Sequence, residues 1–202
     1  MTILTEIFEQ ARATSPLEAV AVLAAIGYLV LAIRQNIWCW LFAGISTAIY
    51  VWLFFGAKLY MESVLNLFYF GMAIYGWAVW YRGTGDHEDL PVSVWPIQRH
   101  AVAIAGIAVL AMANGWMLDT WTDAAFPYVD SATTWGAIWA TFLVARKVFE
   151  NWYYWLVIDA ASVVIYWQRE LEFTALLFVV YLLMIPFGIV AWRRSLTQQA
   201  AQ

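Results

Sequence analysis

The sequence predicts an all-α integral membrane protein with seven transmembrane helices. Of its 202 residues, 64% are hydrophobic and only 12% are charged, and the mean hydropathy is +0.70. A soluble domain carries roughly 25% charged residues and about 45–50% apolar ones. The apolar residues gather in seven segments between turn or charge signals. Because lipid offers the backbone no hydrogen-bond partners, segments that span it singly must be helices.

Each segment has about the length that a bilayer requires. An 18-residue helix rises about 27 Å, which is close to the thickness of the hydrocarbon core. The fifth and sixth segments are the shortest. The predicted spans are 17–33, 38–55, 62–80, 101–117, 131–145, 152–167 and 173–192.

Two recurring motifs predict an internal repeat of three helices. N-x-x-x-W opens the second span at Asn36–Trp40 and the sixth at Asn151–Trp155, and G-x-x-x-W closes the third at Gly76–Trp80 and the seventh at Gly188–Trp192. The offsets are 115 and 112 residues, which predicts a second copy that is three residues shorter in a loop. Because one further span separates the copies, both have the same orientation in the membrane, as in transporters built from parallel repeats.

The predicted organisation has six parts. They are an extracytoplasmic segment (1–16), a first three-helix bundle (17–80), a cytoplasmic linker (81–100), a connecting helix (101–117), a second three-helix bundle (131–192) and a cytoplasmic tail (193–202).

Basic residues predict the orientation of the spans. One side of the membrane collects Arg34, Arg82, Arg99, Arg146, Lys147, Arg193 and Arg194, and the other collects Arg12, Lys58 and Arg169. Cytoplasmic loops carry the excess of Lys and Arg. We therefore expect the C-terminus in the cytoplasm and the N-terminus on the opposite side.

Composition argues against several function classes. The ten basic residues form no patch for nucleic acid. The single cysteine, Cys39, excludes an internal disulfide and a multi-cysteine metal site. The two histidines, His87 and His100, lie in the polar 81–100 segment. We expect no metal, no cofactor and no enzyme activity, since the chain lacks a nucleophile–base pair or a metal set.

Polar and aromatic residues recur at helical spacing on three spans. The stripes are Asn36, Trp40, Gly44, Thr47 and Tyr50; Asn66, Tyr69, Ala73, Gly76 and Trp80; and Asn151, Trp155, Asp159, Ser162 and Tyr166. An unpaired amide is costly in hydrocarbon, so each stripe should face the bundle interior. Contact between helices explains any one stripe, whereas three together favour a binding cavity.

The candidate substrate-binding residues come from these stripes: Asn151, Trp155, Asn66, Asn36, Trp40, Tyr69, Asp159 and Ser162. Amides beside aromatic faces suit a flat heterocycle with hydrogen-bonding groups, and the rings also favour a cation. Asp159 fits three roles: a proton relay, a counter-charge for the substrate, or a carboxyl that is hydrogen-bonded in its neutral form.

Four stretches resemble the PnuC family of bacterial vitamin transporters: NIWCW (36–40), LYMESVLNLFYF (59–70), IYGWAVW (74–80) and ARKVFENWYYW (145–155). The resemblance implies two parallel three-helix bundles joined by a central helix, similar to the SWEET sugar transporters. It also implies facilitated diffusion of nicotinamide riboside across the bacterial inner membrane, with the N-terminus in the periplasm. Trapping by a cytoplasmic kinase and a homotrimeric assembly belong to the same expectation.

The resemblance also assigns ligand-binding positions. The family's Asn and Trp on the sixth helix correspond to Asn151 and Trp155, and a glutamine expected on the third helix corresponds to Asn66. Asparagine is one methylene shorter, which leaves thiamine as an alternative substrate to nicotinamide riboside. A more distant alternative is a membrane structural or sensor subunit without transport activity. The polar stripes in both copies favour transport over that alternative.

Overall fold

The computed structural model describes residues 15–56, 58, 60–85 and 89–201. The predicted 1–16 segment, apart from its last two residues, and positions 86–88 of the predicted linker lie outside the described residues. Within the described part the fold is all-α, as predicted. Its seven helices are α1 (Pro16–Ile33), α2 (Cys39–Gly56), α3 (Tyr60–Arg82), α4 (Ile97–Trp121), α5 (Pro127–Ala145), α6 (Asn151–Gln168) and α7 (Glu172–Gln199).

Five of the described helices are long and apolar enough to cross a membrane, namely α1, α2, α3, α4 and α7. The other two, α5 and α6, carry polar residues along their length, including Thr141, Asp159 and Ser162. All three of these side chains are buried. The lower hydropathy of α5 and α6 therefore comes in part from polar residues that neighbouring helices shield from lipid.

Two helices extend into regions predicted to be linker or tail. α4 begins at Ile97, inside the predicted 81–100 linker, and α7 continues to Gln199, through most of the predicted tail. The added residues are largely Gln, Arg and Leu, which favour the helix in water as well as in lipid. Hydropathy marks where a chain enters lipid and gives no signal for a helix that continues past it.

The helices repeat at a constant offset of 112 residues. α2 begins at Cys39 and α6 at Asn151, while α3 begins at Tyr60 and α7 at Glu172. The turns before α2 and α6 each place one residue in the left-handed region, Gln35 (φ 55°) and Lys147 (φ 47°). The turns before α3 and α7 do the same with Lys58 (φ 61°) and Glu170 (φ 58°).

This offset shows that the predicted pairing of Asn36–Trp40 with Asn151–Trp155 is wrong. The position equivalent to Trp40 is Trp152, and the position equivalent to Asn151 is Cys39. The segment Asn151–Trp155 contains two tryptophans, so a four-residue pattern could align with either. The G-x-x-x-W pairing has the correct offset.

Four tryptophans form the most regular part of the repeat, and we call Trp40, Trp80, Trp152 and Trp192 the tryptophan frame. Trp40 packs edge-on against Trp80, and Trp152 against Trp192, with ring centroids 5.5 Å apart in both pairs. A Cβ added at Gly76 would collide with the Trp40 ring, and one at Gly188 with the Trp152 ring.

The tryptophan frame also joins the two copies. The indole N–H of Trp80 donates to the carbonyl of Ala145 at 3.1 Å, and that of Trp192 donates to the carbonyl of Ala32 at 3.0 Å. Each bond links the end of one copy's third helix to the end of the other copy's first helix. Helix contacts follow the same exchange, since α3 packs on α5 and α1 packs on α7.

The segment before α4 lies against the turn between α5 and α6. Ser93 donates its N–H to the carbonyl of Lys147 at 2.9 Å and accepts from the N–H of Phe149 at 2.8 Å. Val92 is buried in the core. The α4 helix itself packs only on α5 among the described helices.

Candidate functional site

A cavity of about 170 Å³ lies between α1, α2, α3, α5 and α6, and we call it the aromatic cavity. It is lined by Ala25, Tyr28, Trp40, Ala43, Ser46, Thr47, Tyr69, Thr141 and Trp155. Residues from both copies of the repeat therefore surround one space. α6 contributes Trp155 and α5 contributes Thr141, and the remaining lining residues belong to the first copy.

The lining combines aromatic rings with hydroxyl groups. Tyr28 and Trp40 lie with ring centroids 6.0 Å apart at an angle of 55°. The hydroxyls of Thr47 and Thr141 donate to the carbonyls four residues earlier, at 2.8 and 2.7 Å. Each keeps its lone pairs for a ligand donor. None of the residues that line the aromatic cavity is charged, so ring faces and hydroxyls are its recognition chemistry.

Three of the eight predicted site residues line the aromatic cavity: Trp40, Tyr69 and Trp155. Asn151, Asp159 and Ser162 are buried on α6 at helical spacing from Trp155. The predicted inward orientation of the α6 stripe is thus confirmed, although these three residues do not line the cavity.

The other two predicted residues are held by local backbone contacts. Asn36 is exposed, and its side-chain oxygen accepts from the N–H of Trp38 at 3.0 Å, which caps the turn before α2. The Asn66 amide donates to the carbonyl of Glu62, one turn earlier on α3, at 2.9 Å. Neither side chain lines the aromatic cavity, which places both apart from Trp40, Tyr69 and Trp155.

Asn151 has an unusual hydrogen-bonding state. The residue is fully buried, and its amide nitrogen donates to the carbonyl of Val148 at 2.7 Å. Its amide oxygen has no donor among the described residues. A buried acceptor without a partner costs about 1–3 kcal/mol. Trp155, which lines the aromatic cavity, lies one helical turn further along the same face of α6.

Several lining residues were not predicted from the sequence, chiefly Tyr28, Ser46 and Thr141. Tyr28 carried a usable signal, since it is the single aromatic residue of α1. Ser46 and Thr141 carried none, because small hydroxyl residues are common in transmembrane helices for packing alone. Thr47 belonged to a predicted stripe and does line the cavity.

Comparison with known proteins gives one family. The family model described as nicotinamide mononucleotide transporter matches residues 15–194. The nicotinamide riboside transporter PnuC of Escherichia coli (strain K12) is 28% identical over 196 residues, covering 81% of this chain and 81% of its own. The riboflavin/roseoflavin transporter RibM of Streptomyces davaonensis is 27% identical over 176 residues, covering 81% of this chain and 78% of its own.

A solved structure has the same fold. The crystal structure of the vitamin B3 transporter PnuC matches with a TM-score of 0.72 and 22% sequence identity, over 97% of this chain and 90% of that chain. The relatives are named as transporters, which agrees with the expectation that the chain is not an enzyme. The resemblance seen in the sequence is thus confirmed, and the chain belongs to the nicotinamide mononucleotide transporter family, which includes the PnuC transporters.

Proposed function

We propose that this chain carries a vitamin with a flat heterocycle across the bacterial inner membrane, and that nicotinamide riboside is its substrate. The observation that carries the proposal is the aromatic cavity, which lies between the two copies of the repeat. Transporters built from repeats bind their substrates near the bilayer midplane at the repeat interface. Family membership supports the same substrate class.

The lining of the aromatic cavity suits a pyridinium nucleoside. Trp40, Tyr69 and Trp155 offer ring faces to a cationic ring, at about 0.5–2 kcal/mol per contact. Ser46 and Thr47 offer hydroxyls to the sugar. The free amide oxygen of Asn151 accepts a hydrogen bond from the carboxamide N–H₂ of the nicotinamide, once the ligand enters.

We propose the following architecture and cycle. α1–α3 and α5–α7 form two parallel three-helix bundles joined by α4, in the arrangement of the SWEET transporters. The bundles rock about the aromatic cavity, and the bonds from Trp80 to Ala145 and from Trp192 to Ala32 break when the side that carries them opens. That side is cytoplasmic, because most basic residues lie there, and the N-terminus is periplasmic.

Uptake proceeds by facilitated diffusion, and phosphorylation by a cytoplasmic kinase retains the substrate in the cell. The absence of charge in the described lining supports uniport, since no group there exchanges a proton with the substrate. By analogy with the family we also propose a homotrimer in the membrane.

Riboflavin is a second candidate substrate, because RibM is nearly as similar to this chain as the Escherichia coli transporter is. Ligand pockets usually measure about 300–1,000 Å³. At about 170 Å³, the aromatic cavity accepts a single pyridinium ring with its ribose more readily than a three-ring flavin. Thiamine, which also contains a cationic ring, stays a sequence-based alternative.

Calorimetry of the purified protein in detergent tests the assignment. We expect nicotinamide riboside to bind and to compete with any binding of thiamine or riboflavin. If riboflavin bound and nicotinamide riboside did not, the substrate would be reassigned to the flavin. If none of the three vitamins bound, the proposed function would be wrong.

A further inference from the structure

A second cavity, of about 380 Å³, lies at the end of the bundle that carries the basic residues, and we call it the basal cavity. Its lining is polar and includes Arg34, Gln35, Asp89, Lys147, Ser195 and Gln198. These residues come from four separate segments: the turn after α1, the segment before α4, the turn before α6 and the end of α7. The basal cavity is separate from the aromatic cavity, with which it shares no lining residue.

Lys147 is the main feature of the basal cavity. Only 5% of this residue is exposed, yet among the described residues no carboxylate lies within ion-pair distance of its ammonium group. The ammonium nitrogen lies 4.6 Å from the ring centroid of Trp80. That contact satisfies the charge in part but uses none of the three N–H donors as hydrogen bonds to oxygen.

Burial holds the pKa of Lys147 below the usual range for lysine, and nearby Asp89 acts in the opposite direction. A buried cation is expensive unless an anion pairs with it. An anion that enters from solution offsets the cost when it accepts from the donors that no described residue engages.

The backbone geometry of the turn before α6 does not require a positively charged residue at position 147. Gln35 occupies the equivalent position in the first copy with the same left-handed backbone, and its side-chain amide donates to the hydroxyl of Ser195 at 2.7 Å. A neutral residue therefore satisfies the turn. The repeat places a neutral amide on one side of the basal cavity and a cation on the other, with Arg34 beside them.

We propose that the basal cavity binds the phosphate group of a small soluble phosphate monoester. Lys147 and Arg34 supply two positive charges against the single negative charge of Asp89, and Gln35 and Ser195 supply neutral polar groups in the same cavity. A phosphate monoester presents three acceptor oxygens and about two negative charges. Arg34 belongs to the first copy and Lys147 to the second, so a bound phosphate joins the copies next to the tryptophan frame.

A regulatory consequence rests on the proposed function. A phosphate held by both copies stabilises the state in which the Trp80 and Trp192 bonds are intact, and it therefore slows the rocking of the bundles. The chemistry fits feedback by a phosphorylated product of the transported vitamin. The binding itself is independent of the substrate, and the two are measured separately.

The test is calorimetric titration of the purified full chain with inorganic phosphate and with ribose 5-phosphate, and ribose serves as the neutral control. We expect both phosphates to bind and ribose not to bind. Lys147→Met keeps an apolar stem over Trp80 and should lower the affinity at least tenfold. Arg34→Gln changes an exposed residue, so we expect this variant to fold normally. It should lower the affinity for phosphate about fivefold.

Arg99→Gln is the matched control. Arg99 is also a cation over a tryptophan ring, 5.1 Å from the centroid of Trp95, but it does not line the basal cavity. The affinity of the Arg99→Gln variant for ribose 5-phosphate should stay within twofold of the affinity of the unsubstituted protein. No binding of either phosphate, or equal binding by all three variants, would overturn the proposal.

The headgroup of an anionic lipid is the other source of a phosphate group for the basal cavity. A short-chain phosphatidylglycerol is therefore titrated in parallel, with phosphatidylcholine as its control. If phosphatidylglycerol binds in a Lys147-dependent manner and ribose 5-phosphate does not bind, the site belongs to lipid and the proposal fails. Vitamin binding is measured on the same samples. A failure of the proposed function is therefore distinguished from a failure of phosphate binding.

Discussion

The tryptophan frame repeats in full between the two copies, whereas the lining of the aromatic cavity repeats only in part. Trp40, Gly76 and Trp80 have counterparts at Trp152, Gly188 and Trp192 with the same ring geometry and the same kind of hydrogen bond. Within the cavity lining, Ala25, Trp40 and Tyr69 have identical counterparts at Ala137, Trp152 and Tyr181, but most positions differ. The positions equivalent to Tyr28, Ala43, Ser46 and Thr47 are Ala140, Trp155, Ile158 and Asp159.

This difference separates two physical demands. Both copies must close against each other in the same way, and reciprocal contacts between equivalent helices satisfy that demand. A single asymmetric ligand makes no such requirement, so each copy contributes different side chains to its site. Stability should therefore respond equally to equivalent substitutions in the frame, whereas ligand binding should respond to a substitution at only one member of an equivalent pair, such as Ser46 and Ile158.

The largest expected loss of stability follows substitution of the two glycines that pack against the tryptophan frame, Gly76 and Gly188. Gly76→Ala and Gly188→Ala each place a Cβ against a tryptophan ring, and overpacking costs typically about 1–3 kcal/mol. We expect similar losses of thermal stability in detergent for both. Gly71→Ala is the control, because nothing lies within 4 Å of its added Cβ. A large loss at one glycine and none at the other would break the equivalence of the copies.

Trp155→Ala should weaken the binding of nicotinamide riboside without a comparable loss of stability. Stacking of a ring on an aromatic side chain contributes about 1–3 kcal/mol, which corresponds to roughly 5–150-fold in affinity. Trp167→Ala is the matched control on the same helix, since Trp167 is 51% exposed and does not line the cavity. Equal affinity of both variants would remove Trp155 from the site.

The hydrogen bonds of the frame should be equivalent in strength. Trp80→Phe and Trp192→Phe keep a smaller aromatic ring and remove the N–H, which leaves a carbonyl of the other copy without its donor. Each should lower the free energy of unfolding by about 1 kcal/mol, measured by denaturation in detergent. Additive losses in the double variant would indicate two independent links, whereas a double variant no worse than either single one would show that the frame acts as one unit.

A smaller effect is expected at the hydroxyl of Ser46. This side chain lines the aromatic cavity and has no hydrogen-bond partner among the described residues. Ser46→Ala should lower the affinity for nicotinamide riboside about fivefold, the equivalent of about 1 kcal/mol. Ser162→Ala, a buried serine that does not line the cavity, should leave the affinity unchanged. If Ser162→Ala lowered the affinity and Ser46→Ala did not, the sugar of the ligand would have to bind nearer to α6 than proposed.

No effect on the coupling of uptake is expected at Asp159. The residue is buried on α6 and occupies the position equivalent to Thr47, which lines the cavity in the first copy. Uptake of nicotinamide riboside into liposomes by Asp159→Asn should show the same dependence on pH as uptake by the unsubstituted chain. A loss of pH dependence in the variant would indicate proton coupling and contradict uniport.

The fold was predictable because the signals for it are local and long. Seven apolar segments and the G-x-x-x-W motif identify the helices and the offset of 112 residues. The N-x-x-x-W pairing failed because Trp152 and Trp155 both follow Asn151 closely. The helix starts and the turns at Gln35 and Lys147 show that Trp152 is equivalent to Trp40.

The site was predictable only in part. Trp40, Tyr69 and Trp155 combine large rings with helical spacing, and they do line one cavity. Asn36 and Asn66 have the same spacing, but each bonds to nearby backbone. Periodicity places a residue on a face of its helix, whereas rotation and depth against the neighbouring helices decide whether that face meets the cavity.

The most direct test is an experimental structure of the protein with nicotinamide riboside bound. We predict ligand density between Trp155, Tyr69 and Trp40, with the carboxamide nitrogen within hydrogen-bond distance of the Asn151 oxygen. Density elsewhere in the bundle, such as beside Asn66 and away from Trp155, would contradict it.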